Sequence, residues 1–262
     1  AVFGLGLIGQ LTVKLLIANG CRGIGLDFDA GKLASAKASG AHVIDLTHTD
    51  DLGSQVSSFT RGIGVDATII TTATDSNDPV DQSAEICRQR GRIVLVGTSG
   101  TTISRDRFYR KELSFQVSCS YGPGRYDPNY EIAGNDYPVG FVRWTERRNF
   151  EAFLDMLSSG HITTHDLISQ KAHINDAEQI YDKTFKDPTK LGVVFEYPVK
   201  DSEAPVSNGT MPAQVDDEVA ASPAGANAAS VDFIGAGNHA FRQLMPAFSK
   251  ANADLSIVVS QK

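Results

Sequence analysis

Three glycines near the amino end, Gly4, Gly6 and Gly9, stand at the spacing G-x-G-x-x-G directly after the apolar pair Val2-Phe3. Residues of this type at this spacing can receive a dinucleotide. The first glycine makes a tight turn, the second lets backbone approach a pyrophosphate, and the third lets a helix pack closely on a strand. Leu7 and Ile8 lie between the second and third glycines, where a helix N-terminus turns its unpaired amides and positive dipole end toward phosphates. Asp27 closes the next apolar run, 23 residues after Gly4. A carboxylate there accepts hydrogen bonds from the adenosine ribose hydroxyls and repels a 2′-phosphate, which favours NAD over NADP. Asp29 takes that role if the turn is read differently, and capping of the next helix is the plainer reading of Asp27. Lys32 lies either near the adenine or on a solvated helix face.

The elements that must position these residues alternate. The apolar pattern predicts a helix over residues 11–18, with Leu11, Leu15, Leu16 and Ala18 as its stripe and Asn19-Gly20 as its stop. It predicts a helix over 30–39 with Leu33, Ala34 and Ala38 inward, and a weaker helix over 51–60. Short strands are predicted at 23–28 and 41–45. The β-branched run 65–72 reads as a strand buried on both faces. A helix over 80–90 stops at Gly91, and strands follow at 92–97 and around 111–118. Such alternation indicates an α/β fold of Rossmann type, a doubly wound parallel sheet with helices on both faces. Ligands of these sheets bind beyond the carboxyl ends of the strands. Thr71, Thr72 and Ala73, and Val96 and Gly97 with Thr98, are therefore expected to line a nicotinamide ribose, with ordinary loop composition as the alternative.

Residues 121–144 change texture, with Tyr, Gly and Pro clustered before Trp144, and read as a long irregular segment lining a polar substrate cleft or covering a protein interface. Phe150, Phe153, Leu154 and Leu157 give an amphipathic helix ending at Gly160. Ala177, Ile180 and Tyr181 give another over 175–184, and 191–197 is a strand. His161 and His165 are four apart but sit among Ile and Thr, so a loop and strand are expected rather than a metal site. Residues 198–230 are rich in Ala, Pro, Ser, Asn and acids, which predicts a disordered linker. A second device follows. The strand 231–234 runs into Gly235, Gly237, Asn238 and His239, a G-x-G-x-x-A variant, then a helix over 241–249 kinked by Pro246 and a strand over 255–259. Ser260-Gln261-Lys262 stand where its acid would be, so this copy suits NAD or NADP.

Composition bounds the rest. The 262 residues are 41% hydrophobic and 21% charged, with a net charge of −7. That balance argues against a nucleic-acid or anionic-membrane surface, and no run is long enough to span a bilayer. A small-molecule substrate is expected, and the sequence leaves room for a homo-oligomer. Cys21, Cys87 and Cys119 are isolated and odd in number, which fits a reducing compartment, with the cytoplasm as the default. Three residues precede Gly4 and no Met begins the chain, so the sequence reads as a fragment of a longer protein.

Residues 1–197 resemble the cofactor domain and closing segment of medium-chain dehydrogenases, the zinc alcohol and sorbitol dehydrogenase group. The matching residues are Gly4, Gly6, Gly9, Asp27, Lys32, Gly40-Ala41, Val65-Asp66, Gly91 to Val94, Val96-Gly97 and the stretch from Gly160 to Ala177. From Val231 the chain is similar to the start of a Gfo/Idh/MocA oxidoreductase. The succession resembles bacterial bi-domain oxidoreductases. This implies a Rossmann domain at 1–120, a closing segment at 121–197 packing on it, the linker, and a truncated second Rossmann domain at 231–262. It also implies NAD(P)-dependent hydride transfer between nicotinamide and an alcohol or carbonyl of a sugar or polyol derivative. Any zinc would be held by an amino-terminal domain outside this sequence, no catalytic or metal-binding residue is named within it, and the fragment alone is expected to be inactive. A non-catalytic dinucleotide sensor or scaffold is the alternative.

Overall fold

Val2 and Phe3 face opposite sides of one sheet, and the architecture follows from that split. The computed structural model describes residues 1–49, 51–183, 187, 189–198, 230–234, 240–251 and 254–259. These fall into two compact units, Ala1–Val199 and Lys200–Lys262. In the first, β1 (Val2–Phe3), α1 (Leu7–Ala18), β2 (Ile24–Asp27), α2 (Ala30–Ala38), β3 (His42–Asp45), α3 (Leu52–Thr60), β4 (Val65–Ile70), α4 (Asp78–Ile86), β5 (Cys87–Leu95), α5 (Arg105–Lys111) and β6 (Ser114–Val117) follow in order. The six strands form one sheet ordered β3-β2-β1-β4-β5-β6, and every adjacent pair is parallel. The strand order reverses between β1 and β4, which opens a crevice at their carboxyl ends.

Two apolar layers clamp the sheet. Val2 packs with Leu5, Val13, Leu33, Ala36 and Ala41 beneath α1 and α2. Phe3 joins Leu26, Ile44, Val56, Ile70, Val80 and Ile93 on the α3 and α4 side. Each such fully buried side chain contributes about 1.5–3 kcal/mol of transfer free energy. Of the run expected to be buried on both faces, Val65, Thr68 and Ile70 are buried, Asp66 is exposed, and Ala67 and Ile69 are half-buried.

Several elements differ from the sequence reading. The first helix starts at Leu7 rather than residue 11, because Gly6 itself is the cap. Its inward face is accordingly Gly9, Gln10 and Val13, and the expected Leu11, Leu15, Leu16 and Ala18 are only half-buried. In α2 the inward residues are Leu33 and Ala36, one turn apart, whereas Ala34 and Ala38 are exposed. Residues 87–90 are strand, not helix. Cys87 is drawn into the core opposite Val65, and the Arg88 guanidinium pairs with Asp66 on the neighbouring strand at 2.7 Å. Lys111 ends a helix instead of opening the sixth strand.

Beyond β6 lie a short helix α6 (Pro128–Glu131), α7 (Glu146–Ser158), the parallel pair β7 (Ile168–His173) and β8 (Gly192–Glu196), and α8 (Ala177–Lys183) between them. No residue of α7 is buried; Phe150 and Leu154 of its apolar stripe are 63% and 60% exposed. In α8, Ile180 is buried while Tyr181 is largely exposed. Lys14 of α1 pairs with Asp166 just before β7, at 2.8 Å. The described residues of the second unit are β9 (Ser230–Ile234), a π-helical turn Ala240–Leu244, α9 (Met245–Lys250) and β10 (Asp254–Val259). Its two strands pair in parallel around the helix, as the sequence pattern predicts. Residues 199–229 of the expected linker lie outside the described residues. No described helix is long and apolar enough to cross a membrane.

The abrupt change from α4 to β5 has an identifiable holder. The Lys111 ammonium donates to the carbonyls of Ala84, Glu85 and Cys87, satisfying the helix end as a cation at a negative dipole terminus. Lys111→Met is expected to lower unfolding stability by about 2 kcal/mol, the scale of hydrogen bonds to a charged group. Urea denaturation checks this, and an unchanged midpoint would contradict it.

Candidate functional site

The Gly4–Gly9 turn sits at the carboxyl ends of β1, β2 and β4, and each glycine is required for a different reason. Gly4 has φ +83°, a left-handed conformation costly to other residues. A Cβ on Gly9 would stand 2.0 Å from the Gly4 carbonyl oxygen, so α1 can rest on its own turn only without a side chain there. A Cβ on Gly6 would meet nothing within 4 Å. The space above Gly6 is open, as close approach of a pyrophosphate requires. Gln10 N is bonded to the Gly6 carbonyl, leaving the amides of the first turn without intrahelical acceptors. Leu7 and Ile8 in that turn are exposed.

Asp27 is fixed in place. Its Oδ2 accepts from Leu5 N at 2.6 Å, and its Oδ1 from Phe28 N and Asp29 N at 2.8 and 3.0 Å. An ionised carboxylate has about four acceptor sites, so capacity remains for a hydroxyl. The two readings left open for the acids separate here. Asp29, not Asp27, caps α2, accepting from Lys32 N at 2.9 Å. The Lys32 carbonyl accepts from Gln10 Nε2 at 2.8 Å, and the same amide group donates to the Leu5 carbonyl at 3.1 Å. Gln10, fully buried, thereby ties α1, the glycine turn and α2 together. Sequence reasoning missed it, although a polar residue on the inward side of an apolar helix was a usable signal.

The residues beyond β4 and β5 come together. Thr71 Oγ1 donates to the Gly4 carbonyl at 2.6 Å and also lies 3.1 Å from that of Phe3. Its hydroxyl braces the turn from below. Thr72 is different: its hydroxyl oxygen is buried and has no hydrogen-bond partner among the described residues. Thr98 N donates to the Thr72 carbonyl at 2.8 Å, and Ala73 bridges Thr98. A Cβ on Gly97 would lie 2.0 Å from that same carbonyl. Ala73 and Val96 are exposed beside it. The glycine turn, Asp27, Thr72, Ala73, Val96 and Gly97 therefore line one edge of the sheet.

Cavity size does not mark this site. A cavity of about 480 Å³ lined by Arg22, Phe59, Ile63, Val65 and Asp66 lies at the opposite, amino edge of the strands. Among the described residues no three His, Cys, Asp or Glu side chains are grouped to hold a metal. His161 Nδ1 lies 2.7 Å from the Ser159 hydroxyl, and His165 opens a short 3-10 turn. The second glycine-rich turn, Gly235, Gly237, Asn238 and His239, lies outside the described residues.

The glycine contacts give a direct stability test. Gly9→Ala forces a methyl against backbone and is expected to cost about 1–3 kcal/mol or more, as overpacking does. Thr71→Val removes one donor from the Gly4 carbonyl and should cost about 1 kcal/mol, with Thr71→Ser restoring it. Thermal unfolding of the three variants checks both, and wild-type stability in Gly9→Ala would contradict the packing.

Known proteins are similar in sequence and fold. Residues 8–133 match the family model of the zinc-binding dehydrogenases. The chain is 24% identical over 190 residues to D-arabitol-phosphate dehydrogenase of Enterococcus avium, covering 71% of this chain and 47% of that protein. Among solved structures it is similar to 2R,3R-butanediol dehydrogenase from Bacillus subtilis, at 21% identity and TM-score 0.58, covering 73% of this chain and 48% of the other. It is also similar to a short chain alcohol dehydrogenase from E. coli CFT073 complexed with NADH, at 22% identity and TM-score 0.56, covering 74% and 50%. These structures share the fold, and the chain spans about half the length of the relatives it matches. Residues 8–133, which carry most of the six-stranded sheet, are thus similar to the zinc-binding dehydrogenase family.

Proposed function

We propose that residues 1–199 form the NAD(H)-holding part of an oxidoreductase acting on an alcohol or carbonyl group of a sugar or polyol derivative. One observation carries the cofactor reading: Gly6 leaves open space at a helix N-terminus while Asp27, locked by three amides, stands at the end of the neighbouring strand. In this reading the pyrophosphate lies over Gly4, Gly6, Leu7, Ile8 and Gly9, Asp27 accepts the adenosine ribose hydroxyls, and Lys32 lies toward the adenine. Thr72, Ala73, Val96 and Gly97 flank the nicotinamide end, with the unpartnered Thr72 hydroxyl available to a ribose. Bound nicotinamide supplies the hydride chemistry. The chain's own contribution is to hold and orient the cofactor at the carboxyl edge of the sheet.

The substrate class is supported by the company the chain keeps, which includes arabitol-phosphate, butanediol and L-idonate dehydrogenases. The parallel strands Ser230–Ile234 and Asp254–Val259 support reading residues 231–262 as the start of a second dinucleotide-binding domain, which we take to be of Gfo/Idh/MocA type.

Replacing Asp27 tests the assignment. Asp27→Asn keeps an acceptor for Leu5 N but removes the charge. It should weaken NADH binding about tenfold, the scale of a charge-assisted hydrogen bond, and narrow the preference for NADH over NADPH. Fluorescence titration with both cofactors reads this, and an unaltered preference would overturn the role of Asp27.

A further inference from the structure

A fully buried glutamine lies on the inward face of the helix that carries the glycine turn. Gln10 follows the third glycine directly and sits with Gly9 and Val13 beneath α1. Its Nε2 donates in two directions, to the Leu5 carbonyl at 3.1 Å and to the Lys32 carbonyl at 2.8 Å. Turned over, the amide would set its oxygen against both carbonyls, so the two acceptors fix which way it points. Its Oε1 is buried and has no partner among the described residues. A buried acceptor left unpaired costs stability. The position therefore carries an unpaired oxygen to keep two donors, which points past packing alone.

Both residues that Gln10 bonds are held on their other sides as well. Leu5, between the first two glycines, gives its N–H to Asp27 Oδ2. Its side chain is fully buried, so close to Gly25 that a Cβ there would stand 3.1 Å from Leu5 Cδ1. Lys32, in the first turn of α2, gives its N–H to Asp29 Oδ1. Asp29 in turn gives its own N–H to Asp27 Oδ1. The contacts close into a ring that runs Gln10, Leu5, Asp27, Asp29, Lys32 and back to Gln10. Through that ring the glycine turn and the first turn of α2 keep one spacing, although they are far apart in the chain.

In the proposed binding mode the pyrophosphate rests on one half of the ring and the adenosine on the other. We propose that Gln10 is a positioning residue for the cofactor, which sets the spacing between the pyrophosphate turn and the adenosine side. It thereby determines how well a ligand carrying both groups reaches both at once. The proposal rests on the NAD(H) reading of the carboxyl edge. Gln10 itself is wholly enclosed and acts through Leu5 and Lys32.

Two groups joined in one ligand reinforce each other only while their subsites match the ligand's own spacing. Loss of the tie should therefore weaken the joined molecule and spare its adenosine half. Calorimetric titration of the whole chain with NADH and ADP-ribose, and saturation-transfer NMR with adenosine, read that split. Gln10→Met keeps the shape and removes both donors. It is expected to weaken NADH and ADP-ribose about tenfold, the scale of one lost hydrogen bond, and adenosine by less than about twofold. Gln10→Asn, whose amide is too short to reach both carbonyls, carries the same expectation and replaces Gln10→Met if circular dichroism shows the latter unfolded. Equal losses for ADP-ribose and adenosine, or wild-type affinity for ADP-ribose in a folded variant, would overturn the proposal. A wild-type chain that binds neither NADH nor ADP-ribose would sink the cofactor reading and this proposal with it; wild-type binding without the split would sink the proposal alone.

Discussion

Gly9 rests against the carbonyl oxygen of Gly4, and the cofactor edge depends on that contact. It fixes where α1 begins and so where its unpaired amides point. The same carbonyl is held from below by Thr71 just after β4, while the next amide along, Leu5 N, is held by Asp27 on β2. Three adjacent strands thus converge on the single peptide group between Gly4 and Leu5. The turn is rigid because its carbonyl and its amide are each bonded to a different neighbouring strand, and Gly6 is left uncovered between them.

The same parallel sheet explains why the two ends of the strands differ. At the carboxyl edge the loops are stitched together, as with Thr72, Ala73 and Thr98. The amino edge carries the larger cavity around Phe59 and Ile63 but none of the glycine turn. A parallel arrangement gathers backbone amides and the end of every strand on one side, which is where both the glycine turn and the start of the tyrosine-rich segment are found. The preorganised geometry lies there rather than at the amino-edge cavity.

Much of this was legible in the sequence. The spacing of Gly4, Gly6 and Gly9, the acid at Asp27 and the alternation of elements were enough for the sheet class and its cofactor edge. What failed did so for local physical reasons. Residues 87–90 follow a helical pattern, but burial of Cys87 and the Arg88 pairing with Asp66 draw them into the sheet, with Lys111 satisfying the helix end left behind. The inward face of α1 was misjudged because its start was placed one turn late. The tie from Thr71 to the Gly4 carbonyl was not legible, since a hydroxyl at a strand end looks the same whether it faces a ligand or a neighbouring carbonyl. Phe150 and Leu154 form the apolar stripe of the helix that their spacing predicts, although spacing alone does not say what covers them.

The central claim is that a dinucleotide lies on the Gly4–Gly9 turn at the carboxyl edge of the sheet. Amide hydrogen exchange of the whole chain with and without NADH tests it most directly. The account predicts slowed exchange at residues 5–9, 71–73 and 96–98, with no change at 21–23 and 63–66 on the amino edge. Protection confined to the amino edge, or none at the glycine turn at saturating NADH, would contradict it.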